Sequence, residues 1–344
     1  MAIEDYTEMC RRIYFPAEEY SAATFIIVNH GLYYLFLEKA AEFGRNFKAL
    51  EAEGYAEMCR DNLETALASL HLFMPAKKDN VTALLLGVRT IFPPRRRRPP
   101  APADSRATQA SWAVELAKPT IAAMLTSRAV NMCHDLGWHR ATTSKGKETD
   151  ADATTQAVLF WTAYMMDKGM SLSLGRAPTI QDYDVTRSRD IGELRAGTEW
   201  RFIMNGWIKL AEVQGNLYQR LYSPAALLQS DDERERAARG LGEELKILMT
   251  QMHLAATSRS PGRRVEHNGD VVGMINKSDE VSIWSTLTLA YRALPPLPGS
   301  GSSFHPDCIE AARDTMQLHM ESMQMLGDND FLASAYINWS GPRS

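Results

Sequence analysis

Residues 157–185, AVLFWTAYMMDKGMSLSLGRAPTIQDYDV, carry the strongest indication of the fold of this chain. Their first half is apolar with helical spacing, and Phe160, Trp161 and Tyr164 fall on one bulky face. Aromatic side chains of this size on one helix face are typical of a core. Gly, Pro and Asp are frequent in the second half. We therefore predict a core helix, a short turn and an extended exit.

Two charged residues stand on either side of this predicted turn. Asp167 precedes the segment KGMSLSLG and Arg176 follows it. The short spacing favours a buried ion pair between them, which would tie the helix end to the loop. Asp182 and Asp184 are alternative partners for Arg176, and the sequence does not choose among the three carboxylates.

The preceding stretch, TSRAVNMCHDLGWHRA at 126–141, indicates where a helix ends. Gly137 can adopt the left-handed conformation that closes a helix, and Trp138 supplies the apolar residue that packs back on the last turn. His134 and His139 flank this turn. Two imidazoles five residues apart on a helix that has ended do not converge, so we expect capping or core packing and no metal site.

The rest of the chain also shows helical patterns, and strand patterns are scarce. Ser230 and Glu233 form a capping box before the long helical stretch that follows them. No short repeat is present. The predicted fold class is all-α with many helices.

Composition excludes several classes of function. The net charge is −4, and the four cysteines, Cys10, Cys59, Cys133 and Cys308, are too far apart for a zinc finger or zinc cluster. No secretory signal or membrane span is expected. The sequence contains none of the usual motifs for phosphate binding, dinucleotide binding, serine hydrolysis or zinc proteolysis. The predicted protein is intracellular, and its composition indicates no reaction.

Four motifs occur in the order and near the spacing of one family. They are a Leu-Gly-x-His turn, a Phe-Trp-x-x-Tyr-x-x-Asp helix, a Leu-Gly-Arg-Pro-like turn and an Asp-x-Asp exit. The matching residues are Leu136, Gly137, His139, Phe160, Trp161, Tyr164, Asp167, Leu174, Gly175, Arg176, Asp182 and Asp184. In these residues the chain resembles the fungal-specific transcription factor domain, the middle homology region of fungal zinc-cluster regulators. The likeness is expected to cover most of the chain.

The resemblance implies one all-α regulatory domain over 1–340, a nuclear location and control of transcription by RNA polymerase II. It implies a small-molecule effector, transcriptional protein partners or a homodimer, and no membrane. The zinc of the family belongs to a separate six-cysteine DNA-binding cluster. This chain lacks those cysteines, so we expect no cofactor here and DNA contact only indirectly or at family level.

An enzyme is the alternative function. The same helical scaffold could enclose a hydrophobic substrate in its apolar interior, in a pathway of secondary metabolism. We also expect the chain to be truncated at its C-terminus. Family members continue after an Asn-Trp pair into an apolar helix, whereas this chain finishes NWSGPRS.

Residues 88–109 contain six arginines and one aspartate, a net +5, which leaves −9 for the rest of the chain. Proline and adjacent like charges predict an extended backbone over 92–102, and we expect 88–109 as a whole to be a disordered insert. A nuclear address, a phosphate-binding arm and a linker are all consistent with this composition. We favour a translated intron, since joining Gly87 to Ala110 gives a continuous helical pattern and removing the 22 codons keeps the reading frame.

Overall fold

The structure is a computed structural model, and it describes residues 3–16, 19–43, 46–71, 73–91, 105–141, 150–191, 198–257 and 269–326. These residues form helices and loops, with no strand among them, which confirms the predicted all-α class. The helices are α1 (Ile3–Tyr14), α2 (Ala22–Phe43), α3 (Phe47–Ala68), α4 (Lys78–Ile91), α5 (Ser105–Asp135), α6 (Asp150–Ser173), α7 (Thr198–Leu217), α8 (Asp231–Thr257), α9 (Gly269–Arg292) and α10 (Pro306–Leu326).

Three short turns add to these helices. A single 3-10 turn, Asp182–Asp184, lies in the loop after α6. A π-helical turn, Tyr218–Tyr222, extends α7, and a second 3-10 turn, Ala226–Leu228, follows it. The helices group into two compact units, and the boundary falls within α6 between Ala163 and Tyr164.

The first unit consists of α1–α5 and the first part of α6. Its core is formed by α2, α3 and α4, where Ile26, Leu63 and Ala83 are fully buried. The Tyr6 hydroxyl on α1 donates a hydrogen bond of 2.7 Å to the Val28 carbonyl, which attaches α1 to α2. Burial of such side chains removes apolar surface from water and supplies the main stabilisation of the unit.

The second unit contains the rest of α6 and α7–α10. Its core joins all four of the later helices. The fully or nearly fully buried side chains are Val213 and Leu217 on α7, Leu241 and Leu245 on α8, Leu287 and Ala290 on α9, and Ala311 on α10. The predicted capping box begins α8, since the Glu233 N–H donates to Ser230 Oγ at 3.3 Å and the Ser230 N–H donates to Glu233 Oε2 at 3.1 Å.

Only the two ends of the Arg/Pro-rich segment 88–109 fall within the described residues, and the extended backbone expected over 92–102 lies outside them. Helix α4 continues to Ile91, with Val88 only 3% exposed, and α5 begins at Ser105. Residues 92–104, which include the four consecutive arginines, lie outside the described residues. The translated intron and the single domain over 1–340 both stay predictions.

Within the described ranges, none of the helices combines the length and the apolar character needed to cross a bilayer.

Candidate functional site

The end of α5 is built around Gly137, as the sequence predicted. Gly137 has φ of 71°, its N–H donates to the His134 carbonyl at 2.9 Å, and the Trp138 N–H donates to the Cys133 carbonyl at 2.9 Å. This pair of bonds is the Schellman motif, which satisfies carbonyls that the helix end leaves unpaired. Leu136 belongs to this turn, and Trp138 and His139 after it are buried. The motif therefore fixes the direction in which the chain leaves α5.

Changing Gly137 to Ala is expected to cost about 1 kcal/mol of unfolding free energy, because a Cβ disfavours positive φ. No atom lies within 4 Å of that Cβ, so the cost is conformational and not steric. Gly240 on α8 is the matched control, since its Cβ also has open space and its φ is not positive. Gly240→Ala should stabilise the protein by about 0.5–1 kcal/mol. Equal effects of the two changes in denaturant titrations would contradict this explanation of Gly137.

The aromatic residues of α6 are in the core. Phe160, Trp161 and Tyr164 are each 0% exposed, and the rings of Phe160 and Trp161 lie 5.0 Å apart in an edge-to-face arrangement. That geometry is favourable for two aromatic quadrupoles. These side chains hold the helix in place and leave no aromatic surface free for a ligand.

A second Schellman motif ends α6 at Gly175. Its φ is 63°, its N–H donates to the Leu172 carbonyl at 3.2 Å, and the Arg176 N–H donates to the Ser171 carbonyl at 3.0 Å. Arg176 thus contributes its backbone to the turn, and its side chain is exposed. The two glycine turns share one geometry.

The ion pair expected between Asp167 and Arg176 does not form. Asp167 is 4% exposed and its two oxygens accept backbone N–H groups, Oδ1 from Thr179 at 3.0 Å and Oδ2 from Ile180 at 2.8 Å. Burial raises the pKa of Asp167, and the hydrogen bonds from Ile180 and Thr179 act in the opposite direction. Asp167 accepts from these backbone N–H groups and does not pair with the guanidinium of Arg176. The reason is that two successive N–H groups of the loop would otherwise be left without acceptors.

Lys168, which the sequence analysis did not select, has the role expected of Arg176. Its side chain is 2% exposed, and Nζ donates to Asp182 Oδ2 at 2.6 Å and to the Ile180 carbonyl at 3.0 Å. The Tyr164 hydroxyl donates to Asp182 Oδ1 at 2.6 Å. Burial and the hydrogen bond to Asp182 raise the pKa of Tyr164. A signal was present in the sequence, since Tyr164 and Lys168 are four residues apart and share a helix face.

We call Tyr164, Asp167, Lys168 and Asp182 the loop clamp. Together they fix residues 179–182 against α6 through five hydrogen bonds to backbone or carboxylate groups. Asp184 lies in the same 3-10 turn as Asp182 and is exposed. Each polar atom of the clamp is directed at its own chain. The chemistry of the motif is that of a structural brace, and no nucleophile with an activating base lies within it.

The four cysteines of the chain are all free thiols. Cys59, Cys133 and Cys308 are buried and Cys10 is half-buried, and none of the four is in a disulfide. In the described part of the chain, His, Cys, Asp and Glu form no group of three that could hold a metal ion. The rings of His134 and His139 lie 4.7 Å apart edge to face, as two packed side chains.

Sequence reasoning also missed a buried carboxyl group in the second unit. Asp279 on α9 is 4% exposed and its Oδ1 accepts the indole N–H of Trp207 on α7 at 2.7 Å. Burial raises the pKa of Asp279 to about 8, with a further contribution from Glu280. Oδ2 of Asp279 is buried without a hydrogen-bond partner. Trp207 and Asp279 are 72 positions apart in the sequence, so no local pattern could have predicted the hydrogen bond between them.

A model of a known protein family matches the part of the chain that contains the motif residues. Residues 113–194, which contain both glycine turns and the whole loop clamp, match the model of the fungal specific transcription factor domain. The resemblance to this family is confirmed. The matched segment is shorter than the likeness expected from the sequence, which was most of the chain.

Two curated relatives are similar over 131 residues. Each is an ABC-transporter-regulating transcription factor. The protein from Aspergillus fumigatus is 28% identical and the one from Aspergillus oryzae is 29% identical, over 36% of this chain in both cases. The aligned part spans only 14% of the length of each relative. No solved structure matches this chain. These relatives are transcription factors and give no support to the enzyme alternative.

Proposed function

We propose that this chain is a regulatory domain of a fungal transcription factor that controls transcription by RNA polymerase II in the nucleus. The match of residues 113–194 to the fungal specific transcription factor domain carries the proposal. The loop clamp supports it, because the residues that define the family motif brace a loop and perform no chemistry. Genes for ABC transporters are proposed targets, by analogy with the function in the relatives' names.

Regulation in this proposal acts through binding. A helical domain of this kind can respond to a small-molecule effector, to a protein partner or to a second copy of itself, and any of these shifts a conformational equilibrium by its differential affinity. Contact with DNA is assigned to other parts of the transcription machinery. The four separated cysteines give this chain no zinc cluster with which to bind DNA.

A tethering experiment tests the proposal. The chain is fused to an unrelated DNA-binding domain in a fungal host that carries a reporter gene with the matching operator. We expect the fusion to change reporter transcription severalfold, and Asp167→Ala to remove the change by releasing the loop after α6. Arg176→Ala, an exposed side chain in the same turn, should leave the change intact. A fusion that is folded and nuclear but leaves the reporter unchanged would overturn the proposed function.

A further inference from the structure

One face of α10 carries an apolar stripe that is open to solvent. Met316, Met320 and Met323 are 63%, 60% and 48% exposed. Met316 and Met320 line a groove of about 890 Å³ together with the half-buried Ile309 and Ala312. We call Ile309, Ala312, Met316, Met320 and Met323 the methionine stripe. A contiguous apolar surface of this kind is uncommon on a soluble monomer and marks a contact with a partner.

The methionine stripe is symmetric about Met316. Ile309 and Ala312 lie seven and four positions before Met316, and Met320 and Met323 lie four and seven positions after it. Residues at these spacings share one face of a helix. An antiparallel copy of α10, related by a two-fold axis near Met316, therefore brings Ile309 of one protomer against Met323 of the other. Closed dimers are built in this way, from one patch that contacts its own copy.

A polar row on one flank of the stripe has the same symmetry. Its five exposed residues are Glu310, Arg313, Gln317, Glu321 and Gln324. Gln317 is the centre of the row and donates to Glu321 Oε1 at 3.2 Å, which holds the carboxylate on this flank. Because the two-fold axis leaves the flank on the same side of the contact, Arg313 of each protomer lies beside Glu321 of the other. Opposite charges placed in this way fix the orientation and register of an interface.

The length of the stripe favours a second helix as its occupant. The stripe extends about 21 Å from Ile309 to Met323, at about 1.5 Å per residue. Met323 lies beyond the residues that line the groove. A compact ligand would cover part of this length, whereas a helix covers all of it. The symmetry of both rows selects α10 of a second copy as that helix.

We infer that α10 is a homodimer interface, in which the methionine stripes of two copies of this chain pack antiparallel and Arg313 of each protomer pairs with Glu321 of the other. Burial of the stripes supplies the association free energy, and methionine side chains adapt to one another's shape. The exposed ion pairs determine orientation more than affinity. One helix per protomer is a small interface, so we expect a dissociation constant in the micromolar range.

Sedimentation of the full chain between about 1 and 100 µM tests the inference. We expect a dimer that dissociates on dilution. Met316→Glu should weaken dimerisation at least about tenfold, because it brings two carboxylates together at the axis. Met325→Glu is the matched control and should leave the dimer intact, since Met325 is 56% exposed and lies on another face of α10. Circular dichroism confirms that both variants are folded.

A charge exchange tests the pairing of Arg313 with Glu321. Arg313→Glu alone brings two carboxylates together across the interface, and Glu321→Arg alone brings two cations together, so each variant should self-associate more weakly than the wild type. A mixture of the two variants should form a heterodimer at least about threefold tighter than either homodimer, since both contacts then join opposite charges. Sedimentation of one variant, fluorescently labelled, in an excess of the other measures this preference.

Several outcomes would overturn the inference. They are a chain that stays monomeric at about 100 µM, equal effects of Met316→Glu and Met325→Glu, or charge variants that show no preference for the heterodimer. A photo-crosslinker in place of Met316 should react with α10 of a second chain. Its reaction with residues 327–344 of the same chain would assign the stripe to that segment and would also overturn the inference.

The interface lies outside the loop clamp and outside the segment matched to the family. Self-association is a property of the purified chain and does not rest on the proposed function. A dimer that leaves the tethered reporter unchanged would contradict the proposed function while the interface stands. A monomer that changes the reporter would contradict the interface alone.

Discussion

Asp167→Ala is expected to lower the free energy of unfolding by about 3 kcal/mol. The N–H groups of Thr179 and Ile180 lose their acceptors at 3.0 and 2.8 Å, and an unsatisfied buried donor costs about 1–3 kcal/mol. Asp167→Asn keeps one acceptor oxygen, and its cost should be intermediate. Urea titrations followed by far-UV circular dichroism measure both.

Arg176→Ala is the control for this prediction because the sequence alone favoured an ion pair between the two residues. The Arg176 side chain is exposed, so its removal should change the unfolding free energy by less than about 0.5 kcal/mol. A cost for Arg176→Ala as large as that for Asp167→Ala would show that the two side chains act together, and would contradict the loop clamp described above.

Asp279→Asn should change how stability depends on pH. The folded protein retains the Asp279 proton up to a pKa of about 8, whereas the unfolded chain releases it near the ordinary value of 3.8. Between pH 5 and 7 the folded state therefore binds one proton more. The wild type should lose about 1.4 kcal/mol of stability per pH unit relative to Asp279→Asn as pH rises, or about 3 kcal/mol in all. Urea titrations of both proteins at several pH values measure the slope.

Asp279 lines a cavity between α8, α9 and α10, and two other residues of titratable type, Glu280 on α9 and His253 on α8, line it too. Histidine is the side chain that ordinarily titrates in this pH range. His253→Gln is therefore the control, and it should retain the full slope. A wild type that is as insensitive to pH as Asp279→Asn would mean that Asp279 is ionised in the folded protein at pH 7, and would contradict the burial argument.

The features that the sequence predicted correctly depend on local backbone geometry. Gly137 ends its helix in the left-handed conformation because only a residue without a Cβ adopts it readily, and that property is visible in the residue type. The capping box at Ser230 and Glu233 is local in the same sense. All-α architecture also follows from patterns within single helices.

The features that sequence reasoning missed depend on partners that residue types do not reveal. Asp167 binds backbone N–H groups, and every residue except proline offers one, so a charge-pairing argument selected Arg176 instead. Lys168 was overlooked because a lysine is rarely buried to 2%, and here Asp182 and a carbonyl compensate for its burial. Trp207 and Asp279 are 72 positions apart in the sequence, and their hydrogen bond forms only because α7 and α9 pack together.

The central claim, that this protein regulates transcription, is tested most directly by removing it rapidly from the source organism. The protein is depleted with an inducible degradation tag, and nascent RNA polymerase II transcripts are sequenced before secondary effects accumulate. The account predicts prompt changes in a defined set of transcripts. Unchanged nascent transcription, together with accumulation of a small-molecule intermediate, would contradict the account and favour an enzyme.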